Sequence, residues 1–157
     1  MNLKKIIATL SFLLLLNCGY EPIYSKKQIN NNYSFSINTI NYIGDNKVNQ
    51  ILKNQLQKTL NKEKKSVELN LNLNSRVEKV ITSKDKKGNP KRFLIKIIIN
   101  LEIYESEILK GKAKFKEKFE YNNKSNKFDL KQYEKNIQNN LISELSAEII
   151  RYLNLLK

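Results

Sequence analysis

The sequence predicts an α+β fold: a two-layer sandwich with a mixed four-stranded sheet and two helices on one face, in the order β-α-β-β-β-α. Three observations carry this. Residues 66–81 and 92–104 alternate apolar and polar side chains over long runs, which marks strands with one buried face. Two segments, 47–61 and 130–156, repeat apolar residues every three or four positions, as helices do. A helix lies between the first two strands, and short turns link the last three.

The elements follow in order. Tyr33 to Tyr42 alternates Tyr33, Phe35 and Ile37 with Ser34, Ser36 and Asn38, a strand pattern. Gly44-Asp45-Asn46 ends it, and Asp45 or Asn46 can cap the next helix. Val48, Ile51, Leu52, Leu56 and Leu60 form the apolar face of that helix, with Lys53, Asn54, Gln57 and Lys58 on the wet side. Residues 61–65 close it as a solvated loop. Val67, Leu69, Leu71 and Leu73 then alternate with Glu68, Asn70, Asn72 and Asn74. Ser75 and Lys79 weaken the phase, so a bend or bulge is expected there.

Thr82 to Lys91, with Gly88, Asn89 and Pro90, reads as a hairpin loop. Phe93, Ile95, Ile97, Ile99, Leu101 and Ile103 give the next strand its core face. Leu94 and Ile98 lie on its other face, which predicts a central strand with partial cover on both sides. Residues 105–111 turn the chain. Ala113, Phe115, Phe119 and Tyr121 alternate with Lys112, Lys114, Lys116 and Lys118. That lysine row reads as protection of an edge strand against pairing, or as a row facing phosphates. Asp129 is a candidate N-cap for a long helix bearing Leu130, Tyr133, Ile137, Leu141, Leu145, Ile149, Tyr152 and Leu156. A strand, helix and strand in sequence predict a right-handed crossover, and the last three strands a meander.

The first 17 residues stand apart. Lys4 and Lys5 precede an apolar run from Ile6 to Leu16, the order of a secretory signal. The run is too short to span a bilayer, which takes about 20 apolar residues. It ends in Leu15-Leu16-Asn17-Cys18 rather than in the small residues of an ordinary cleavage site. This resembles the lipobox of bacterial lipoproteins, with Asn17 where Gly, Ala or Ser is usual. The resemblance implies diacylglycerol on the Cys18 thiol, cleavage before Cys18 and N-acylation of the new amine. Several acyl chains make a stable anchor where one holds only reversibly. In that group Asp after the cysteine retains the protein at the inner membrane. Gly19 stands there instead, which implies the outer membrane. The expected organisation is therefore a signal over 1–17, an extended leader over 18–32 containing Pro22, and one domain over 33–157.

Composition narrows the function. The formal net charge is +14, and removing Lys4 and Lys5 with the signal leaves +12. Such a surface attracts anionic partners, although the Lys, Asn and Ile abundance also matches AT-rich codon usage. There is no histidine, and Cys18 is the one cysteine. The commonest general base and metal ligand are thus missing, a Cys/His metal site is excluded, and no cofactor is expected beyond the covalent lipid. Glu102, Glu105 and Glu107 are close in sequence but read as strand-end surface charges, so no enzyme is expected. A nucleic-acid partner would suit the charge, but export removes the domain from nucleic acid.

The post-cysteine segment Cys18-Gly19-Tyr20-Glu21-Pro22-Ile23-Tyr24 resembles that of the lipopolysaccharide-assembly lipoproteins of the LptE family, in their alphaproteobacterial form. The resemblance extends through Asn54-Gln55-Leu56, the alternating leucines, the basic hairpin and Tyr121-Asn122 before a long C-terminal helix. It implies an outer-membrane lipoprotein facing the periplasm, acting as plug and assembly partner of the LptD β-barrel that inserts lipopolysaccharide into the outer leaflet. The alternative reading of the residues is a free-standing periplasmic lipoprotein that binds an anionic envelope glycolipid or polymer. For contact with lipopolysaccharide or a partner, the charge-dense hairpin selects Lys84, Lys86, Lys87, Lys91 and Arg92.

Overall fold

A computed structural model describes residues 35–60 and 65–156. The signal, Cys18, the leader over 18–32, and Tyr33 and Ser34 of the first expected strand lie outside the described residues. The elements are β1 (Phe35–Gly44), α1 (Asn46–Thr59), β2 (Val67–Lys84), β3 (Pro90–Glu105), β4 (Ile108–Asn122) and α2 (Lys127–Leu155). They form a single mixed sheet in the order β1-β2-β3-β4. β1 pairs with β2 in parallel, and the other neighbours are antiparallel. α1 packs on β1 and β2, α2 packs on β3 and β4, and the helices meet each other. This is the α+β sandwich that the alternation predicts.

The core follows from period two. Leu71, Leu73, Ile95, Ile97, Ile99 and Leu101 are fully buried on the helix-facing side. Val48, Leu52 and Leu56 of α1 close over them, with Ile142, Leu145, Ile149 and Leu153 of α2. Each such side chain contributes about 1.5–3 kcal/mol of burial. The α2 stripe is wider than the residues picked out by helical spacing, because Ile142, Ser146 and Leu153 are buried as well. Ser146 remains satisfied there by donating to the Ile142 carbonyl at 2.7 Å.

Several local expectations are corrected. No bulge interrupts the β2–β3 ladder at Ser75 to Lys79, where the sequence predicts a bend or bulge, since the two strands keep register from Leu69 to Ile81. Ser75 stays on the core face because its hydroxyl is used: it donates to Asn49 Oδ1 at 2.7 Å and lies within hydrogen-bond reach of the Ile43 and Asp45 carbonyls. Register shifts occur instead at Thr82 on β2 and at Lys91 on β3. The first strand also shifts register, at Asn38, so Phe35 and Ile37 face the core before it and Ile40 and Tyr42 after it.

The expected turn over 105–111 is only the pair Ser106-Glu107, both at positive φ, 45° and 70°. That is the backbone of a tight hairpin that suits twisted strands, here made without glycine. The N-cap of α2 is Asn126, not Asp129. Its side chain accepts from Phe128 N at 2.9 Å and Asp129 N at 3.4 Å. Asp129 sits in the first turn, where its charge suits the helix dipole. Asp45 caps α1 as expected, accepting from Val48 N at 2.9 Å.

Ile98 is 4% exposed on the face away from the helices, yet it belongs to no second core. It lies in register between Arg76 and Lys116, whose long aliphatic stems suit such cover.

The β1–α1 junction has little room. Gly44 has φ +98°, and a Cβ there would lie 1.9 Å from the Ser75 carbonyl oxygen. That carbonyl accepts from Asp45 N at 3.2 Å. Gly44→Ala is therefore expected to cost at least about 2 kcal/mol, from the strained φ and the overlap together. Gly88→Ala, at φ +84° in open space, should cost only about 1 kcal/mol. Chemical denaturation of the two variants checks the order, and equal losses would contradict this reading of the junction.

Candidate functional site

The basic hairpin joins β2 to β3, and its loop is shorter than the sequence implies. Only residues 85–89 lie outside the strands. Lys84 ends β2, Lys86 and Lys87 occupy the turn, Lys91 is the displaced residue on β3, and Arg92 is on β3 proper. All five are exposed.

Asp85 organises the tip. Its Oδ1 accepts from Lys87 N and Asn89 N, both at 2.8 Å, and its Oδ2 accepts from Asn89 Nδ2 at 3.1 Å. Asp85 N donates to the Asn89 carbonyl at 2.9 Å, and Gly88 N donates to the Asp85 carbonyl at 3.0 Å. The Asn89 side chain, followed by the backbone donors, holds the Asp85 carboxyl below its ordinary value. The one acid in the tip is thus turned inward, and the lysines remain outward.

The five cations are not equivalent. Arg92 Nη1 lies 3.4 Å from Glu120 Oε1, which also accepts from Thr82 Oγ1 at 2.6 Å. Lys84, Lys86, Lys87 and Lys91 form no ion pair among the described residues. They are the available charges of the tip.

A node that the sequence reading missed holds the base of the hairpin. Phe93 stacks on Tyr121 at 5.6 Å, and Tyr121 meets Tyr133 edge-on at 6.0 Å. Tyr121 donates its hydroxyl to Glu134 Oε1 at 2.8 Å, and burial followed by this bond raises its pKa. Lys79 Nζ pairs with Glu134 at 2.6 Å and sits 4.4 Å above the Phe93 ring. Asn123 ties the end of β4 to the hairpin, donating to the Pro90 and Lys91 carbonyls at 2.8 Å. Aromatic residues at 93, 121 and 133 were legible singly. Their meeting depends on register and helix placement.

The sheet face away from the helices is polar. Asn70, Asn72, Asn74 and Asn100 run along it, and Asn70 Oδ1 accepts from Thr39 Oγ1 at 2.8 Å. A shallow hollow of about 510 Å³ is lined by Asn72, Asn74, Asn100, Glu102, Lys112 and Lys114. β4 is an edge strand, as its lysine row predicts. Lys112 pairs with Glu102 at 2.7 Å, while Lys114, Lys116 and Lys118 form no ion pair among the described residues.

The three carboxylates around the β3–β4 turn differ in their partners. Glu102 also accepts from Tyr104 at 2.8 Å, Glu105 pairs with Lys110 at 2.8 Å, and Glu107 is in the tight turn. Among the described residues no three acidic or thiol side chains converge as metal ligands, and no helix is long and apolar enough to cross a membrane.

No family model matches the chain, and no curated protein matches it by sequence. Solved structures share its fold. A minor lipoprotein from Acinetobacter baumannii aligns with a TM-score of 0.57 at 12% identity, over 74% of this chain and 90% of that one. A lipoprotein from Caulobacter crescentus aligns at 0.51 and 13% identity, over 73% and 87%. The rare lipoprotein B of Shewanella oneidensis aligns at 0.50 and 9% identity, over 73% and 96%. The likeness establishes a common fold.

The tip geometry has a pH signature. Because the folded pKa of Asp85 is depressed, its stabilisation is full above the ordinary carboxylate value near 3.8 and is lost as pH falls through the lower folded value. The protection factors of the Lys87 and Asn89 amides, taken against the intrinsic rate at each pH, should fall in that acid window, and in Asp85→Ala at neutral pH, with the rest of the sheet still protected. Unchanged exchange at both amides would contradict the role of Asp85.

Proposed function

We propose that this protein is an envelope lipoprotein, anchored through lipid on Cys18, that acts as plug and assembly partner of an LptD-type β-barrel inserting lipopolysaccharide into the outer leaflet. The observation that carries this reading is the fold. The sandwich aligns with bacterial lipoproteins over 87–96% of their lengths, behind a segment that has the order of a lipoprotein signal.

The physical requirements of a plug agree. Large barrels have polar interiors, and the sheet offers them an asparagine- and lysine-rich face on the side away from α1 and α2. A plug needs rigidity rather than a reactive group, and the helices supply it from one side only. For contact with lipopolysaccharide phosphates, Lys84, Lys86, Lys87 and Lys91 act as point charges, while Arg92 can bind in a forked geometry. Its pairing with Glu120 makes Arg92 the least available of the five.

The described part of β1 starts at the end of β2 opposite this tip, where Phe35 pairs with Val67. The 18 residues of β2 place the two ends about 55–60 Å apart at the rise of an extended strand.

Purification from membranes in mild detergent tests the role. A stable one-to-one complex with a large barrel is expected, whereas a monomer would favour a free-standing glycolipid binder. Reversing Lys84, Lys86, Lys87 and Lys91 to Glu should weaken lipopolysaccharide binding by about tenfold or more, roughly 1.4 kcal/mol, with the thermal midpoint unchanged. Undiminished binding would retire the tip as the contact.

A further inference from the structure

The two edges of the sheet are built differently. β4 carries Lys112, Lys114, Lys116 and Lys118 on one face, a pattern that discourages pairing with another strand. β1, the opposite edge, has no charged residue and no proline from Phe35 to Gly44. Its register slips once, at Asn38. Beyond that point residues 39–44 run regularly, and among the described residues they pair with β2 alone. The outward backbone N–H and C=O groups of such a strand are a template for another.

A hollow of about 520 Å³ lies beside this edge, lined by Ile37, Ile40, Tyr42, Lys53, Gln57 and Leu60. The Tyr42 hydroxyl is buried and has no hydrogen-bond partner among the described residues. Burial pushes its pKa up to about 12. Native proteins seldom leave a buried hydroxyl unsatisfied. Lys53, at the same hollow, forms no ion pair among the described residues.

We propose that the open edge of β1 is a strand-addition site for an extended segment of another protein, one that places an apolar side chain in the hollow, an oxygen near Tyr42 and a carboxylate near Lys53. The backbone template identifies the occupant as a polypeptide strand, the hollow sets its alternation, and Lys53 sets its charge. Its backbone becomes a fifth strand, which is the β-augmentation mode of recognition. The inference needs neither the lipid anchor nor the plug role.

Photo-crosslinking of the full chain in its own cells tests it. Benzoylphenylalanine in place of the exposed Asn41 is expected to give an adduct whose mapped peptide belongs to another protein. Residues 39–44 of that adduct should be protected from amide exchange relative to uncrosslinked protein, and the same probe in place of Lys116 on β4 should give none. Thr39→Lys with Ile43→Lys guards the edge as β4 is guarded, and should cut the adduct about tenfold. Tyr42→Phe should also lower the adduct several-fold, while the isolated variant melts no lower than the parent. An adduct to residues 1–34 of the same chain, an adduct to a second copy, no adduct at position 41, or full yield in both the lysine and phenylalanine variants would overturn the proposal.

Discussion

The β2–β3 ladder is the constraint on which the rest of the molecule depends. From Leu69 opposite Glu105 to Ile81 opposite Phe93 the two strands keep an unbroken antiparallel register. Period two then sends every second side chain to one face. A slip of one residue would turn Leu71, Leu73, Ile97 and Ile99 outward and bring asparagines and lysines inward. Once the register is set, one face needs helical cover and the other is polar. The same choice therefore makes the core and the surface offered to partners.

The ladder also outruns β1, whereas β4 follows β3 from Glu105 to Arg92. β1 accompanies β2 only as far as Ser75, and the side chains change there. From Leu69 to Asn74 leucines alternate with asparagines, and charges follow at Arg76, Glu78 and Lys79. The second half of β2 is held instead by β3 on one side and by Lys79 reaching Glu134 of α2. Phe93, Tyr121 and Tyr133 close the node beneath. The hairpin tip is thus the end of a braced beam. That bracing lets exposed lysines hold a defined position without burying them.

Much of this was legible in the sequence, because alternation and helical period report burial directly. The four strands, both helices, the mixed sheet and the helix-covered face follow from residues such as Leu69, Leu71 and Leu73, and Val48, Leu52 and Leu56. What escaped depends on partners distant in sequence. Ser75 looks like a defect in an apolar row until Asn49, from α1, is placed against its hydroxyl. The slip at Asn38 and the tight Ser106-Glu107 turn are properties of pairing, which periodicity does not report. The hairpin charges were legible as a group. The difference between Arg92, paired with Glu120, and the four lysines required the β3–β4 register. That the Tyr42 hydroxyl has no hydrogen-bond partner among the described residues required the burial of one atom to be known.

The proposed role depends on where the sandwich is held, so the tether is the property to measure. Intact-mass analysis of the protein purified from membranes addresses it directly. The expected species begins at Cys18 and carries a thioether-linked diacylglycerol with an acylated amine. A species that begins at Met1 with a free Cys18 thiol would contradict the proposed anchoring and the plug role that rests on it.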